Sequence, residues 1–310
     1  LHEEAPTSSE PLQFLLRHVG AYEFVTPTPA THERYLQRNR RAARDLRDVF
    51  GWSLPFEPGI LPPPLFETLE QGNLLSAAEG GLMRSKVRVS TLGALRFIHS
   101  AFPTDDEDSV FFGPDSYRFA SFLRSRLPRG GSPRHLVDIG AGSGVGGVVA
   151  ASLAAPAKVT LLDINPRALR FASANAAHAG VEVDLVHGTS LGDVDGPIDL
   201  VIANPPYIMD EAARLYRHGG DMQGARLSLD WAVEAAERLV PGGAMLLYTG
   251  AAILGGRDPL REALAAALPP RGCTFTYEEL DPDVFGEELE KPRYREVERI
   301  AVVGAIIVKQ

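Results

Sequence analysis

Hydrophobic positions along this chain change their period, and the change divides it in two. In the first hundred residues, Pro11 to Tyr22 predicts a short helix, and Thr31 to Phe50 a longer one. In the latter, Tyr35, Leu36, Ala42, Ala43, Leu46, Val49 and Phe50 fall at helical spacing. Pro55 to Pro64 reads as a proline-rich connector, and Leu65 to Gln71 as one more short helix. Val87 and Val89 then alternate with Lys86 and Arg88, so Gly81 to Ser90 predicts a half-exposed strand, with Leu92 to His99 as its partner. Thr104 to Ser109 is charged and rich in breakers, and the junction is placed there: an accessory α+β part over 1–104 and a second domain over 105–310.

Beyond the junction, short apolar runs alternate with helical patterns. A helix carrying Phe119, Phe122 and Leu123 is broken by Pro128 to Pro133. Strands are predicted at His135–Ile139, Lys158–Leu162, Val181–Val186 and Ile198–Ala203. A small-residue helix, about Val145 to Ala155, follows the first strand. The helix after the second has Asn165 as its N-cap, Pro166 at its first position and Gly180 past its end. A helix over Ala225–Val240 is stopped by Pro241-Gly242-Gly243. A strand over Ala244–Thr249, a helix from Asp258-Pro259 to Leu268, and strands over Cys273–Leu280 and Ile300–Val308 complete the pattern. Such alternation predicts an α/β fold: a doubly wound, Rossmann-like sheet of seven mostly parallel strands. Asp281 to Arg299 is a long, charged insertion between the last two strands, read equally as functional or as a surface loop.

Composition narrows the classes. With 310 residues and 45% apolar content, the chain has room for two domains and a large core. No run is long and apolar enough to cross a membrane, and Leu1 to Glu10 does not resemble a signal peptide. Cys273 is the one cysteine, which excludes a disulfide framework and a cysteine-rich metal site and makes the cytoplasm the expected compartment. No metal site is expected, and His18 and His99 read as structural. A net charge of −9 argues against non-specific nucleic-acid binding. The arginines at 34, 38, 40, 41, 44 and 47 permit a local contact, but a solvated helix face partnered by Glu33, Asp45 and Asp48 is favoured.

Two stretches carry chemistry. Asn204-Pro205-Pro206-Tyr207 ends the fourth strand, because proline has no N–H for the ladder. It therefore lies at the carboxyl edge of the sheet, where ligands bind in such folds. The Asn204 side-chain oxygen and the Pro205 carbonyl suit the two donors of a planar –NH2 group, and Tyr207 offers a π-face on which a flat amide or base can stack. The second stretch is Gly140-Ala141-Gly142-Ser143-Gly144, between the first strand and its helix, with Asp138 just before it and Asp163 ending the next strand. Glycines there let the backbone approach a ligand, and Asp163 can accept both hydroxyls of a ribose. Gly142, Gly144 and Gly147 also fit a dinucleotide fingerprint, so an NAD-dependent dehydrogenase competes. Against it, the Asp138 carboxylate would repel a pyrophosphate at the helix start, and nothing downstream resembles a hydride-transfer site.

With both motifs present, the chain resembles the class I S-adenosylmethionine-dependent methyltransferases over roughly Val110 to Thr249. More narrowly, it is similar to the group that includes release-factor glutamine N5-methyltransferases and adenine N6-methyltransferases. The resemblance implies S-adenosyl-L-methionine as cofactor, with S-adenosyl-L-homocysteine as product. Asp138, Gly140, Ala141, Gly142 and Gly144 would hold its methionine part, and Asp163 with Ile164 the ribose side. Thr189 or Ser190 would stand near the adenine, and Asn204 at the cofactor's edge. It further implies Asn204, Pro205, Pro206 and Tyr207 as the catalytic motif. The acceptor would be macromolecular: a glutamine side chain of a protein or, alternatively, an exocyclic amino group of RNA or DNA. His218-Gly219-Gly220-Asp221, followed by Gly224, resembles a glycine pair of the glutamine branch. The chain departs from the family at Gly188-Thr189, where relatives carry Gly-Asp. It departs again at Gly113-Pro114-Asp115-Ser116-Tyr117, where they carry Arg-Pro-x-Thr-Glu.

Overall fold

The computed structural model describes residues 8–39, 41–127, 132–209, 217 and 219–310. Arg40, His218, the breaker residues 128–131 and most of the polar opening segment lie outside the described residues. The N-terminal part contains α1 (Glu10–His18), α2 (Pro29–Arg38), α3 (Leu46–Phe50) and α4 (Pro63–Gln71). Two antiparallel hairpins follow, β1 (Leu75–Ala77) with β2 (Met83–Ser85), and β3 (Val87–Leu92) with β4 (Leu95–Ser100). The second part runs α5 (Pro114–Arg126), β5 (His135–Ile139), α6 (Val145–Ala154), β6 (Lys158–Asp163), α7 (Pro166–His178), β7 (Asp184–His187) and β8 (Ile198–Ala203). It ends with α8 (Arg226–Arg238), β9 (Leu239–Ile253), α9 (Pro259–Ala267), β10 (Cys273–Asp281) and β11 (Arg299–Lys309).

Seven strands form one sheet in the order β10-β11-β9-β8-β5-β6-β7. It is parallel from β9 to β7, and β11 lies antiparallel between β9 and β10. Strand order reverses between β5 and β8, so the loops after β5, β6 and β8 open onto one crevice. Strand β9 starts earlier than its apolar run. It passes through Pro241-Gly242-Gly243 because the register against β8 shifts between Ile198 and Leu200.

Three expectations change. Residues 31–50 do not form one helix. Asn39 leaves helical geometry (φ −121°, ψ 59°), Asp45 caps α3 through the Asp48 N–H, and the Asp48 carboxylate accepts from the Arg41 guanidinium and the Arg44 N–H. Local side-chain bonds there offer the backbone an alternative to the helix. The arginines therefore line no single helix face, and Arg47 lies over the rings of Phe24 and Trp52. Gly81 to Ser90 is not one half-exposed strand either: β3 is buried at every position, Arg88 included. Its hairpin is sealed by α7, whose Asn175 amide accepts from Ile98 N and donates to Ile98 O and Ser143 O. Arg88 donates to Ser100 O and His32 Nδ1. The insertion after β10 is docked rather than loose. The Tyr294 hydroxyl accepts from Met209 N at 2.8 Å, and buried Glu288 pairs with Arg217 and Lys291.

Candidate active site

Strand β5 delivers Asp138 to the crevice and then turns through Gly140, whose φ of +70° suits glycine. A Cβ on Gly140 would also meet the Trp231 ring at 2.6 Å, so the loop rests directly on α8. The loop is braced from the next strand. The two Asp163 oxygens accept from Gly142 N and Asn165 N, both at 2.8 Å. Asp138 accepts from Gly147 N at 2.6 Å, in the first turn of α6. The positive end of that helix thus already faces a carboxylate, which leaves it poorly suited to a pyrophosphate. Burial, and secondarily the Asp163 charge, pushes Asp138 up to about 7. Burial raises Asp163 as well, against its backbone donors.

A cavity of about 350 Å3 opens over this loop. Asp138, Gly140, Ala141, Gly142, Asp163, Ile164, Thr189, Asn204, Pro205, Pro206 and Tyr207 all line it. Gly144 and Ser190 do not. Gly144 abuts Ala172 of α7, and the Ser190 hydroxyl accepts from Gly192 N to cap a short turn. The Thr189 N–H donates to Asp193. Phe112 and Tyr117 also stay off the wall: Phe112 stacks with Phe97 and His99, and the Tyr117 hydroxyl accepts from Thr26 N. His18 stacks on Phe14, and buried His99 bonds Ser90. Among the described residues no cluster could hold a metal ion, and no helix is long and apolar enough to cross a membrane.

Asp115 joins the site without a role expected from the sequence. It lies in the first turn of α5, is 7% exposed, and collects three donors. Its Oδ2 accepts from Asn204 Nδ2 at 3.1 Å, and its Oδ1 accepts from the hydroxyls of Tyr207 and Tyr248, each at 2.8 Å. Burial raises its pKa, opposed by the bonds from Tyr207, Asn204 and Tyr248. The only signal in the sequence was a carboxylate just after Pro114 at a helix start. Its partners lie 89 to 133 residues away, so nothing local marked it.

The Asn204 amide is thereby oriented. A carboxylate can only accept, so the Nδ2 end faces Asp115. The Oδ1 end is buried and has no hydrogen-bond partner, in a residue that lines the cavity. A buried acceptor without a donor is costly unless a ligand supplies one. The Tyr207 ring is packed against Gly250 and meets Phe285 edge-on at 5.8 Å between centroids. Phe285 and Arg217 bring the insertion and the loop after β8 to the cavity mouth. These groups fit a ligand with a cationic end, a diol and a flat apolar part: Asp138 and Asp163 supply the acceptors, and Leu162 and Ile164 the apolar lining.

Comparison with known proteins agrees with this geometry. Residues 112–264 match the family model "Methyltransferase small domain". The release factor glutamine methyltransferase of Deinococcus radiodurans is 32% identical over 196 residues, which are 60% of this chain and 66% of that protein. The ribosomal RNA small subunit methyltransferase C of Hahella chejuensis is 33% identical over 114 residues, 37% of this chain and 30% of that protein. The chain thus spans about two thirds or less of these curated relatives. In fold, it is similar to the crystal structure of a putative transferase from Pyrococcus horikoshii, with a TM-score of 0.50 and 12% identity, covering 80% of this chain and 83% of that one. Over residues 112–264 the chain thus matches a methyltransferase small domain, and it is similar to class I, S-adenosylmethionine-dependent methyltransferases.

Proposed function

We propose that this protein is an N-methyltransferase acting on a planar amide or amino nitrogen, with a protein glutamine side chain as acceptor. The observation that carries the reading is Asn204, a cavity-lining residue whose Oδ1 is buried and unpartnered while its Nδ2 is bonded to Asp115. Beside it, the Pro205 carbonyl is the second acceptor that a primary amide needs. The printed name of the Deinococcus relative supports glutamine.

Asp138, Gly140, Ala141 and Gly142 would hold the methionine end of S-adenosylmethionine, Asp163 the ribose, and Ile164 with Thr189 the adenine side. The bound cofactor supplies an electrophilic methyl group on sulfur. What the chain itself does is orient the nucleophile. Two acceptors on one nitrogen draw its lone pair out of conjugation, and the apolar wall excludes competing water. No strong base is needed, because the nitrogen becomes acidic as charge develops on it. The N-terminal part is the proposed recognition module for the acceptor.

The test is transfer of labelled methyl groups from S-adenosylmethionine into a lysate, followed by nuclease or protease. Label that survives nuclease and is lost with protease supports the amide acceptor. Label lost with nuclease would move the acceptor to a nucleic-acid base, the chemistry in the name of the Hahella relative.

Asp138 gives a pH prediction. In the free protein it keeps its proton up to about pH 7. A cationic ammonium beside it favours the carboxylate, so binding should expel that proton. S-adenosylmethionine affinity is expected to fall by up to about tenfold per pH unit below about pH 7 and to level off above it. Calorimetry in buffers of different ionisation enthalpy reads the released proton directly. For stability of the free protein the sign is opposite. The folded pKa lies above the ordinary 3.8, the native state binds the extra proton, and this group's contribution declines as pH rises toward about 7.

A further inference from the structure

We infer that Asp115 is a positioning residue that sets the hydrogen-bonding polarity of the site, making Asn204 present an acceptor rather than a donor to the substrate. The inference rests on the proposed function, since polarity matters only for a substrate that offers N–H groups.

An asparagine side chain has an accepting end and a donating end of nearly equal size, and a half-turn about its last bond exchanges them. Which end faces the cavity therefore depends on what faces the other end. Here that group is Asp115 Oδ2, which takes the Nδ2 end at 3.1 Å. The carboxylate is itself fixed, because its Oδ1 accepts from both Tyr207 and Tyr248. With Oδ1 committed to two hydroxyls, Oδ2 is left for Asn204. Asp115, Tyr207 and Tyr248 are buried and Asn204 partly so, which limits the access of water to these bonds. A substrate –NH2 meets Oδ1 as a donor meeting an acceptor. With the amide reversed, it would meet a second donor and be repelled.

An Asp115→Asn substitution keeps volume and shape but changes this logic. The introduced amide oxygen would stay with the two tyrosine hydroxyls. Its –NH2 would then face Asn204, which must turn to accept from it, and Nδ2 would point into the cavity. The compensating change is Asn204→Asp. In the double variant, the introduced carboxylate at 204 accepts from the introduced amide at 115 and still offers an acceptor oxygen to the substrate.

The experiment compares the wild type, both single variants and the double variant. The acceptor is the one identified in the labelling assay, and S-adenosylmethionine binding is measured in parallel. Asp115→Asn is expected to lose about 10²-fold or more in turnover, with cofactor affinity changed by no more than roughly twofold. The double variant is expected to regain at least about tenfold over the weaker single variant, a rescue that a merely structural role would not produce. Near-wild-type turnover in Asp115→Asn, or a folded double variant with no rescue, overturns the inference.

A second measurement needs no acceptor and is read on the wild-type protein, with a variant used only for assignment. The Asn204 side-chain amide protons, identified by their loss in Asn204→Ala, should be protected from solvent exchange in the wild-type protein. Rapid exchange would show that Asp115 does not hold them, and would overturn the inference. If the wild type methylates no amide or amino nitrogen, the proposed function falls, while this measurement still decides whether the lock exists.

Discussion

Replacing Asn204 with alanine is expected to lower methyl-transfer turnover by about 10²- to 10³-fold, the range seen when one preorganised polar group at a reacting centre is removed. Cofactor affinity should barely move. The glycine loop is held by Asp163 through Gly142 N and by Asp138 through Gly147 N, and neither bond involves Asn204. Asp115 would lose one donor but keep two tyrosine hydroxyls, so the α5 end should stay in place. Turnover and S-adenosylmethionine dissociation constant, measured on the same preparation, check both halves. A parallel collapse of affinity would make Asn204 a cofactor ligand and leave the amide acceptor without its support.

The second large effect is expected at Gly224. Its φ of +96° already disfavours any side chain, and a Cβ there would sit 2.3 Å from the Tyr207 carbonyl oxygen. That neighbour is backbone and cannot rotate away. Gly219 packs beside it, with its ideal Cβ against Gly224 O and 2.5 Å from Pro206 O. The two glycines thus clamp the Asn204–Tyr207 tetrapeptide, and Gly219 N donates to Ile208 O. Gly224→Ala should cost at least about 3 kcal/mol, from overpacking and backbone strain together. It should also abolish activity, because relief displaces the Tyr207–Ile208 peptide that follows the tetrapeptide. Urea unfolding and turnover together test this. A variant as stable and active as the wild type would mean that the clamp is not needed.

Much of this site was legible in the sequence, and the boundary of legibility has a physical basis. The strand ends carrying Asp138, Asp163 and Asn204 were readable because apolar runs, glycines and prolines are local signals. The clamp was half visible: the glycine pair stood out as a motif, but nothing in its spacing said that it grips Tyr207. Asp115 was invisible as a functional residue, since its meaning lies in three donors, two from the loop after β8 and one from β9. The broken helix near Asn39 misled for a similar reason. Its apolar spacing was right, but Asp48 draws Arg41 and the Arg44 amide out of helical register. The β3 strand misled because alternating polarity predicts one wet face, whereas α7 covers that hairpin and Arg88 is satisfied by Ser100 O and His32.

The antiparallel position of β11 bears on how the chain is made. Strand β9, fifteen residues long and almost wholly buried, pairs on one side with β8 and on the other with β11. Strand β10 pairs only with β11. During vectorial synthesis, β9 emerges well before residues 299–309, so one of its ladders stays open while the insertion and β10 are being added. An open apolar edge of that length is a template for pairing with other chains. At that stage of synthesis the chain holds β5, β6 and β8 but not β11, and the sheet order means that β11 closes it from the middle rather than from the rim. Because the insertion that braces Met209 and Arg217 hangs between β10 and β11, the mouth of the site can be completed only in that same late step.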